Sequence, residues 1–369
     1  WVEVHAHTRM RHRGHVMCVD AEGIVVALFR QHASRKLDPQ LHTHAVIANR
    51  VQAPDGRWLA LDARTIKIDQ RTLSALYHAN LRSELTRSLG VAWNQPEHGI
   101  AEIADIDADV LAEFSQRTRD LERRLEEKLD RFRHGLGRDP TDRERWRLER
   151  EAAVDSRPSK HHGVTLADLR REWWERTVEL GRDPRLVVGR AVDQRRRLDG
   201  IDDRRVDGLT EAAIAALGDR QSSWRPAELV RELAAAVPTT VAVDAADLTA
   251  ALDRLADQVA DNRCVDISRR IPAGARLRRD GRPITESAVD RALTTRAILD
   301  EEEELIAWAE RRKSQDASRS RSWPIRYAEH LTPGQAAAVA AVADGDGLEL
   351  IVGPAGAGKT TALASAVLN

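Results

Sequence analysis

Along this chain the apolar positions change period several times, and each change marks a new element. From Gly23 to Val51 two apolar segments, Ile24 to Phe29 and Leu41 to Asn49, flank the polar, turn-rich stretch His32 to Gln40. Apolar runs bounded by turn residues read as strand, loop, strand. After a turn at Pro54-Asp55-Gly56-Arg57, the residues Leu73, Leu76, Tyr77, Leu81, Leu85 and Leu89 recur at three and four, which predicts an amphipathic helix stopped by Gly90. A second sheet segment is expected from Gly90 to Ala101, so that an α+β domain closes near Phe114. Charges then crowd between Gln116 and Ala153, yet Leu121, Leu125, Leu129, Phe132 and Leu136 keep helical spacing. This predicts a long exposed helix or helical hairpin, broken at Gly137-Arg138-Asp139-Pro140. The same tetrapeptide returns as Gly181-Arg182-Asp183-Pro184 without surrounding periodicity, a reused turn and not an internal repeat. Three apolar-periodic segments between Thr210 and Asp261, followed by a hairpin from Val265 to Ile284 turning at Asp280-Gly281-Arg282, predict a winged-helix module. The stretch Arg311 to Ser322, rich in Arg and Ser, reads as a linker.

Composition narrows the class without fixing a function. At 369 residues the chain is too long for one ordinary core, so two or three domains are expected. With 42% hydrophobic residues, 32% charged residues and a net charge of -1, it describes a soluble protein whose bulk charge does not announce nucleic acid. Its two cysteines, Cys18 and Cys264, fall in no CxxC spacing. That argues against a disulfide framework and a cysteine-rich zinc module, and fits a reducing cytoplasm. No stretch approaches the ~20 apolar residues that span a bilayer, so no membrane insertion is expected. The chain opens at Trp1 without an initiator Met and stops nine residues after Thr360, so either end is expected to cut into a domain.

One motif is complete. Gly353-Pro354-Ala355-Gly356-Ala357-Gly358-Lys359-Thr360 matches GxxxxGK[ST], and the apolar run Leu348 to Val352 precedes it as a buried strand should. Glycines let the backbone curl around phosphates with its N–H groups inward. Lys359 is expected to reach the β and γ phosphates of ATP, and the Thr360 hydroxyl, followed by Thr361, to serve Mg2+. Upstream, Leu331-Thr332-Pro333-Gly334-Gln335 opens a helix, with Thr332 as N-cap and Pro333 in its first turn. Its spacing resembles the adenine-reading glutamine element of superfamily 1 helicases, which makes Gln335 the expected base contact. No Walker B acid or arginine finger follows in these residues, so they are not expected to hydrolyse ATP alone.

A second constellation lies in Pro39-Gln40-Leu41-His42-Thr43-His44-Ala45-Val46-Ile47-Ala48-Asn49. A period of two puts His42 and His44 on one face of a strand, half of a metal site. Together with Ser34-Arg35 and the Asp38-Pro39 turn, this string resembles the histidine-hydrophobe-histidine strand of MobF-type conjugative relaxases, the TraI and TrwC type. Trp58 to Asp62, the Tyr77 helix, Gly99-Ile100-Ala101-Glu102-Ile103, Phe114-Ser115-Gln116-Arg117 and Ser156-Arg157-Pro158-Ser159-Lys160 resemble the family too. So does the order of domains.

The resemblance implies a multidomain chain: the C-terminal part of an α+β, HUH-type relaxase sheet domain (1–115), a charged, mainly helical connector (116–207), a winged-helix-like module (208–310), a linker (311–325), and the start of an α/β P-loop helicase domain (326–369). It implies nicking of single-stranded DNA at a plasmid transfer origin by metal-assisted tyrosine transesterification, followed by ATP-driven unwinding. A coupling protein and secretion machinery are its implied partners. The implied cofactors are ATP with Mg2+ and a divalent metal, Mg2+, Mn2+, Zn2+ or Ni2+, held by three histidines. Two departures stand against it. The family's third histidine falls at Gln31, while the nearest histidine is His32, so either a bulge brings His32 to the metal or Gln31 ligates in its place. The family's nucleophilic tyrosines lie nearer its N-terminus than anything here, so no catalytic tyrosine is expected among these residues. In replication initiators of the same superfamily the tyrosine follows the histidines, with a lysine three or four residues on. Tyr77 is followed there by Asn80 and Leu81 and reads as packing; Tyr327 belongs to the linker.

Other residues carry less. His5-Ala6-His7 with His12 and His15 reads as a solvated or phosphate-contacting basic stretch. Trp173-Trp174 beside Arg170, Arg171 and Arg176 reads first as core, and Asp300 to Glu304 as a solvated helix start. Two rivals to the relaxase-helicase reading are a non-catalytic DNA-binding segment of a degenerate relaxase, and a P-loop ATPase with a chance histidine pair.

Overall fold

Alternation in the first sixty residues resolves into three antiparallel hairpins: β1 (His7–His12) with β2 (His15–Asp20), β3 (Val26–Ala33) with β4 (Pro39–Ile47), and β5 (Val51–Gln52) with β6 (Trp58–Leu59). The computed structural model describes residues 1–12, 14–97, 99–156, 163–192, 203–314, 331–343, 351–353 and 358–367. They fall into two compact units, Trp1–Thr294 and Thr295–Asn369. In the first unit Thr8 bridges to Leu61 and donates its hydroxyl to the Ala60 carbonyl at 2.8 Å. This joins the first and third hairpins over a small core of Ala6, Ala21, Val51 and Leu61. The middle hairpin differs, because solvent reaches both of its faces: Leu28 on one is 69% and Phe29 on the other 55% exposed.

Two helices follow, α1 (Ala63–Ile68) and α2 (Gln70–Leu89), the second closed by Gly90 as expected. The buried face of α2 coincides with the leucine stripe only at Leu76, with Leu73, Leu81 and Leu85 half-buried beside it. Thr72, Leu76, Ala79, Arg82, Ser83 and Thr86 are buried, while Tyr77 is 57% exposed and so does not pack. After Gly90 there is no second sheet strand but a pair of isolated bridges, Trp93 to Ile103 and Glu97 to Ile100.

Next come α3 (Ala108–Glu113), α4 (Gln116–Leu136), α5 (Asp142–Asp155), α6 (Leu166–Glu179) and α7 (Pro184–Ala191). The charged stretch is a helical hairpin, with α4 and α5 packed together. The reused tetrapeptide ends one helix and leads to the next in both places. Gly137 and Gly181 take φ of 64° and 72°, which a Cβ would disfavour; Thr141 then caps α5, and Asp183 caps α7 ahead of Pro184.

The remainder of this unit is α8 (Asp203–Gly218), α9 (Pro226–Ala236), α10 (Ala245–Arg263), β7 (Val265–Asp266) and β8 (Leu293–Thr294). The three helices stand where periodicity put them. The expected hairpin keeps its turn, since Leu277 bridges to Pro283 around Gly281 at φ 73°, but its first strand pairs elsewhere: Val265 and Asp266 pair with Leu293 and Thr294, across a loop, and Trp224 bridges to Leu293 on the other side.

Helices α9 and α10 cover α2, which explains its small, polar buried face. Thr72 donates to the Ala227 carbonyl and Ser83 to that of Val243, both at 2.8 Å, and Asn80 donates to Thr249 at 2.7 Å. Arg82 donates to the carbonyls of Gly99 and Val237, and Arg225 pairs with Asp69. The boundaries expected near 115 and 207 therefore fall inside one unit, because long-range packing joins segments that composition separates. Leu252, 1% exposed in α10, is part of this core. Leu252→Ala is expected to cost on the order of 2–5 kcal/mol, read as a lowered urea midpoint at unchanged slope.

The second unit is described through α11 (Arg296–Ser314), α12 (Pro333–Ala343) and α13 (Lys359–Val367). Asp300 to Glu304 are solvated near the start of α11, as expected. Arg311 to Ser314 continue that helix, since arginine and lysine are good helix formers. The rest of the expected linker, with Tyr327, lies outside the described residues. Helices α12 and α13 pack together. Among the described residues of the expected strand Leu348 to Val352, Ile351 and Val352 are not in a strand and Val352 is exposed, no second strand standing beside them; Leu348 to Leu350 lie outside.

Candidate metal centre and nucleotide loop

The β3–β4 ladder settles which side chains share a face. Phe29 pairs with His44 and Gln31 with His42, so these four lie on one side; the register then shifts between Gln31 and Ala33, which pairs with Pro39. His32 falls at that irregularity without a cross-strand partner. The extra residue of the bulge is in β4, where Gln40 and Leu41 stand against the single His32, so it does not turn His32 onto the histidine face. Among the described residues no three His, Cys, Asp or Glu side chains converge as a metal-holding group. The structure thus brings His42 and His44 together, with ring centroids 5.0 Å apart and planes at 78°, and sets Gln31 opposite His42.

A backbone contact orients one ring of the pair. Nδ1 of His42 lies 2.9 Å from the Gln40 carbonyl, which can only accept, so Nδ1 carries the proton and Nε2 keeps its lone pair. The histidines line a groove of about 920 Å3 that also takes in Arg30, Arg35, Arg117 and Leu166. Among the described residues lining it there is no carboxylate. A surface lined by three arginines, three histidines (His32, His42 and His44) and no acid attracts an anion, and the aliphatic side chains beside it give an apolar wall.

The other histidine pair does something else. His5 Nε2 lies 3.0 Å from Asp253, and His7, 6% exposed, lies 3.6 Å from Asp20. His5 and His7 are therefore not part of a solvated basic stretch, since β1 pairing puts His7 across from Asp20, whereas His12 and His15 are exposed as expected. Burial, helped by Arg278, lowers the His7 pKa below its ordinary 6.5 against the pull of Asp20 and Asp280. Below pH 6.5 the unfolded chain then binds the proton that the folded chain refuses. Stability is full above that pH and falls as pH drops towards the folded value. Urea midpoints at pH 7.5 and 5.5 are expected to differ more for the natural protein than for His7→Gln.

Trp173 is half-buried and donates to the Leu37 carbonyl at 2.6 Å, as a packing residue; Trp174 is exposed, with Arg185 5.6 Å from its ring. Tyr77 is not among the residues of the groove, and its ring meets His78 edge-on.

In the second unit, Thr332 and Gln335 form a reciprocal cap at the start of α12, with Thr332 N–H donating to Gln335 Oε1 at 2.9 Å. Gln335 Nε2 also reaches the Gly358 carbonyl at 3.5 Å. Lys359 Nζ donates to the Gly353 carbonyl at 2.6 Å, which brings both ends of the loop together. Thr360 is exposed at the start of α13. Pro354, Ala355, Gly356 and Ala357, and the side chain of Thr361, lie outside the described residues.

Residues 1–180 match the TrwC relaxase family, and residues 330–368 match an AAA domain family. Over 257 residues the chain is 27% identical to the multifunctional conjugation protein TraI of Escherichia coli and 28% identical to that of strain K12. These alignments take in 64% of this chain and 13% of each relative. Among solved structures, a metal-free complex of the conjugative relaxase TrwC with OriT DNA aligns at 33% identity, over 49% of this chain and 61% of that one, with a TM-score of 0.41. A copper-bound TrwC complex with OriT DNA aligns at 33% identity over 49% and 58%, also at 0.41. On the family match and the TraI relatives, residues 1–180 are a TrwC relaxase domain of the MobF type.

Proposed function

We propose that the first unit binds single-stranded DNA along the β3–β4 groove, as part of a relaxase-helicase that nicks at a plasmid transfer origin. The observation that carries this is the acid-free groove with Arg35 and Arg117 around His42 and His44. The guanidiniums would take backbone phosphates, and the aliphatic wall at Leu166 would face a base. His42 and His44 fit a divalent cation, since the Gln40 carbonyl leaves Nε2 of His42 available, and Gln31 stands opposite as a carboxamide oxygen donor. When bound, such a cation polarises the scissile phosphate. The chain's own residues orient that phosphate against the imidazole face. Tyr77 does not line the groove, so the attacking tyrosine of the family reaction is not assigned to the described residues.

Gln31 favours a second reading, in which the groove still binds DNA but cation-assisted nicking is weakened, because a neutral carboxamide is a poorer donor than imidazole for Zn2+ or Ni2+. In the second unit Gly353, Gly358, Lys359 and Thr360 are proposed to hold ATP with Mg2+, and Gln335 to meet the adenine. What supports this is the Lys359 ammonium set against the Gly353 carbonyl, where a β or γ phosphate would replace it. Helices α8 to α10 with Trp224, β7 and β8 have the element order of a winged-helix module. The third helix carries Asp244, Asp247, Asp253, Asp257 and Asp261 at its start and along its length, which argues for a packing role and against groove reading of duplex DNA. Among the described residues no helix is long and apolar enough to cross a membrane; a cytoplasmic site of action is proposed with the relaxase reading.

The test is fluorescence anisotropy of a labelled single-stranded oligonucleotide against rising salt. Arg117→Ala is expected to lower the slope of log affinity on log salt by roughly 0.7, the value for one phosphate contact on a single strand. An unchanged slope, or equal affinity for duplex DNA, would sink the groove reading.

A further inference from the structure

Asp38 begins the approach to the strand carrying His42 and His44, and is 3% exposed. One of its oxygens accepts the backbone N–H of Gln116, the first residue of α4, at 3.1 Å. The other accepts from Arg176 of α6, also at 3.1 Å. Arg176 is itself held, donating to the Glu113 carboxylate at 2.9 Å and to the Glu113 carbonyl at 3.0 Å, with its guanidinium 4.5 Å from the Phe114 ring centroid. One residue earlier, Leu37 sits at φ 63°, a conformation rare for a side-chain-bearing residue, while its carbonyl takes the Trp173 indole N–H. Ser34 Oγ accepts the N–H groups of Lys36 and Asp38 at 3.1 and 3.2 Å, and Lys36 pairs with Asp120 at 2.5 Å. Two helices, α4 and α6, thus fasten one five-residue turn, with Glu113 of α3 holding Arg176 in place.

The irregularity of the β3–β4 ladder lies beside this turn, between the Gln31–His42 and Ala33–Pro39 pairs. A slip of one residue would carry both imidazoles to the opposite face. The hairpin has little of its own to resist it, being two strands with solvent on both sides. The register must therefore be held from the turn, and Asp38 is the buried group that ties the turn to α4 and α6.

We propose that Asp38, clamped by Arg176, is a positioning residue that fixes the face on which His42 and His44 meet a divalent cation. This rests on the metal reading of that pair. Asp38 touches no cation itself; it acts through the entry of β4.

The experiment titrates the full chain with Co2+, followed by visible absorption, and records the imidazole 1H–15N signals of His42 and His44 without metal. Asp38→Asn and Arg176→Lys are compared with Leu252→Ala, which lowers stability in α10 without touching the turn. Asp38→Asn is expected to weaken Co2+ binding by about 10- to 100-fold, the usual effect of a group that orients a ligand, and to move both imidazole signals. Arg176→Lys keeps the charge and folds more readily; it is expected to lose affinity less. Leu252→Ala is expected to bind Co2+ as the natural protein does. If the natural protein binds Co2+ and both turn variants bind it equally well with unmoved imidazole signals, the positioning role is overturned and the metal reading stands. Equal loss in Leu252→Ala overturns it as well, since mere stability would then explain the effect. If the natural protein binds no Co2+, the metal reading fails and this inference with it.

Discussion

His42→Ala is expected to abolish divalent-metal binding by the first unit, and Gln31→His to tighten it, while His32→Ala leaves it unchanged. The ladder places Gln31 directly across from His42, on the face that His44 shares, and leaves His32 at the irregularity. Replacing a carboxamide oxygen by imidazole nitrogen at that position completes three nitrogen donors on one face. For Zn2+ or Ni2+ this is expected to raise affinity on the order of tenfold or more, which corresponds to roughly 1.4 kcal/mol or above. Mg2+, a hard ion that prefers oxygen, is expected to gain little. Calorimetric titration of the purified chain with each ion checks all three variants. A tight site in the natural protein that His32→Ala destroys would show that His32, and not Gln31, completes the set.

Lys359→Ala is expected to lower ATP affinity about 10- to 100-fold in a protein carrying this loop, since a charge-assisted hydrogen bond to phosphate contributes roughly 1.5–3 kcal/mol. Without nucleotide the ammonium rests on the Gly353 carbonyl, a neutral acceptor that it exchanges for phosphate oxygens. Gln335→Ala separates two parts of the reading. It removes the reciprocal cap with Thr332, and it removes the proposed adenine contact. Loss of discrimination between ATP and GTP, with α12 still helical by circular dichroism, identifies the base contact. Loss of helix with unchanged preference leaves only the cap.

What could be read from the sequence was local. The helical hairpin of α4 and α5, its break at Gly137, the stop of α2 at Gly90 and the reciprocal cap of Thr332 all depend on residues within a few positions of one another. The pair His42 and His44 was legible for the same reason, a period of two. What failed was decided at a distance. The leucines of α2 looked like its buried stripe, but α9 and α10, some 150 residues on, cover Thr72, Ser83 and Arg82 and supply carbonyls for them. The strand β7 found its partner across a loop at Leu293 and Thr294, where the sequence offered a nearer turn at Gly281. The β1–β2 hairpin was hidden because His7, Arg9 and Arg11 give no apolar alternation; the carboxylate of Asp20, across the ladder, is what makes burial of His7 tolerable. The faces taken by Gln31 and His32 could not be read from spacing, since they depend on which strand holds the extra residue. Asp38 could have been suspected from its place before Pro39, but its partner Arg176 lies on a helix with nothing to mark the pairing.

The middle hairpin, open to solvent on both faces, gives the histidine pair an unusual thermodynamic setting. Its amides lack the shelter of neighbouring layers, so they should exchange with solvent deuterium faster than those of α2 or α10 in the free protein. Any ligand that needs His42 and His44 in one place must also still the ribbon that bears them, and the entropy lost in doing so opposes binding. A cation and a DNA strand that both demand the same stiffened ribbon then assist each other, because the first to arrive removes part of the cost of the second. Cooperativity between metal and DNA would thus have a source in the ordering of β3 and β4, in addition to the contact of the cation with the phosphate.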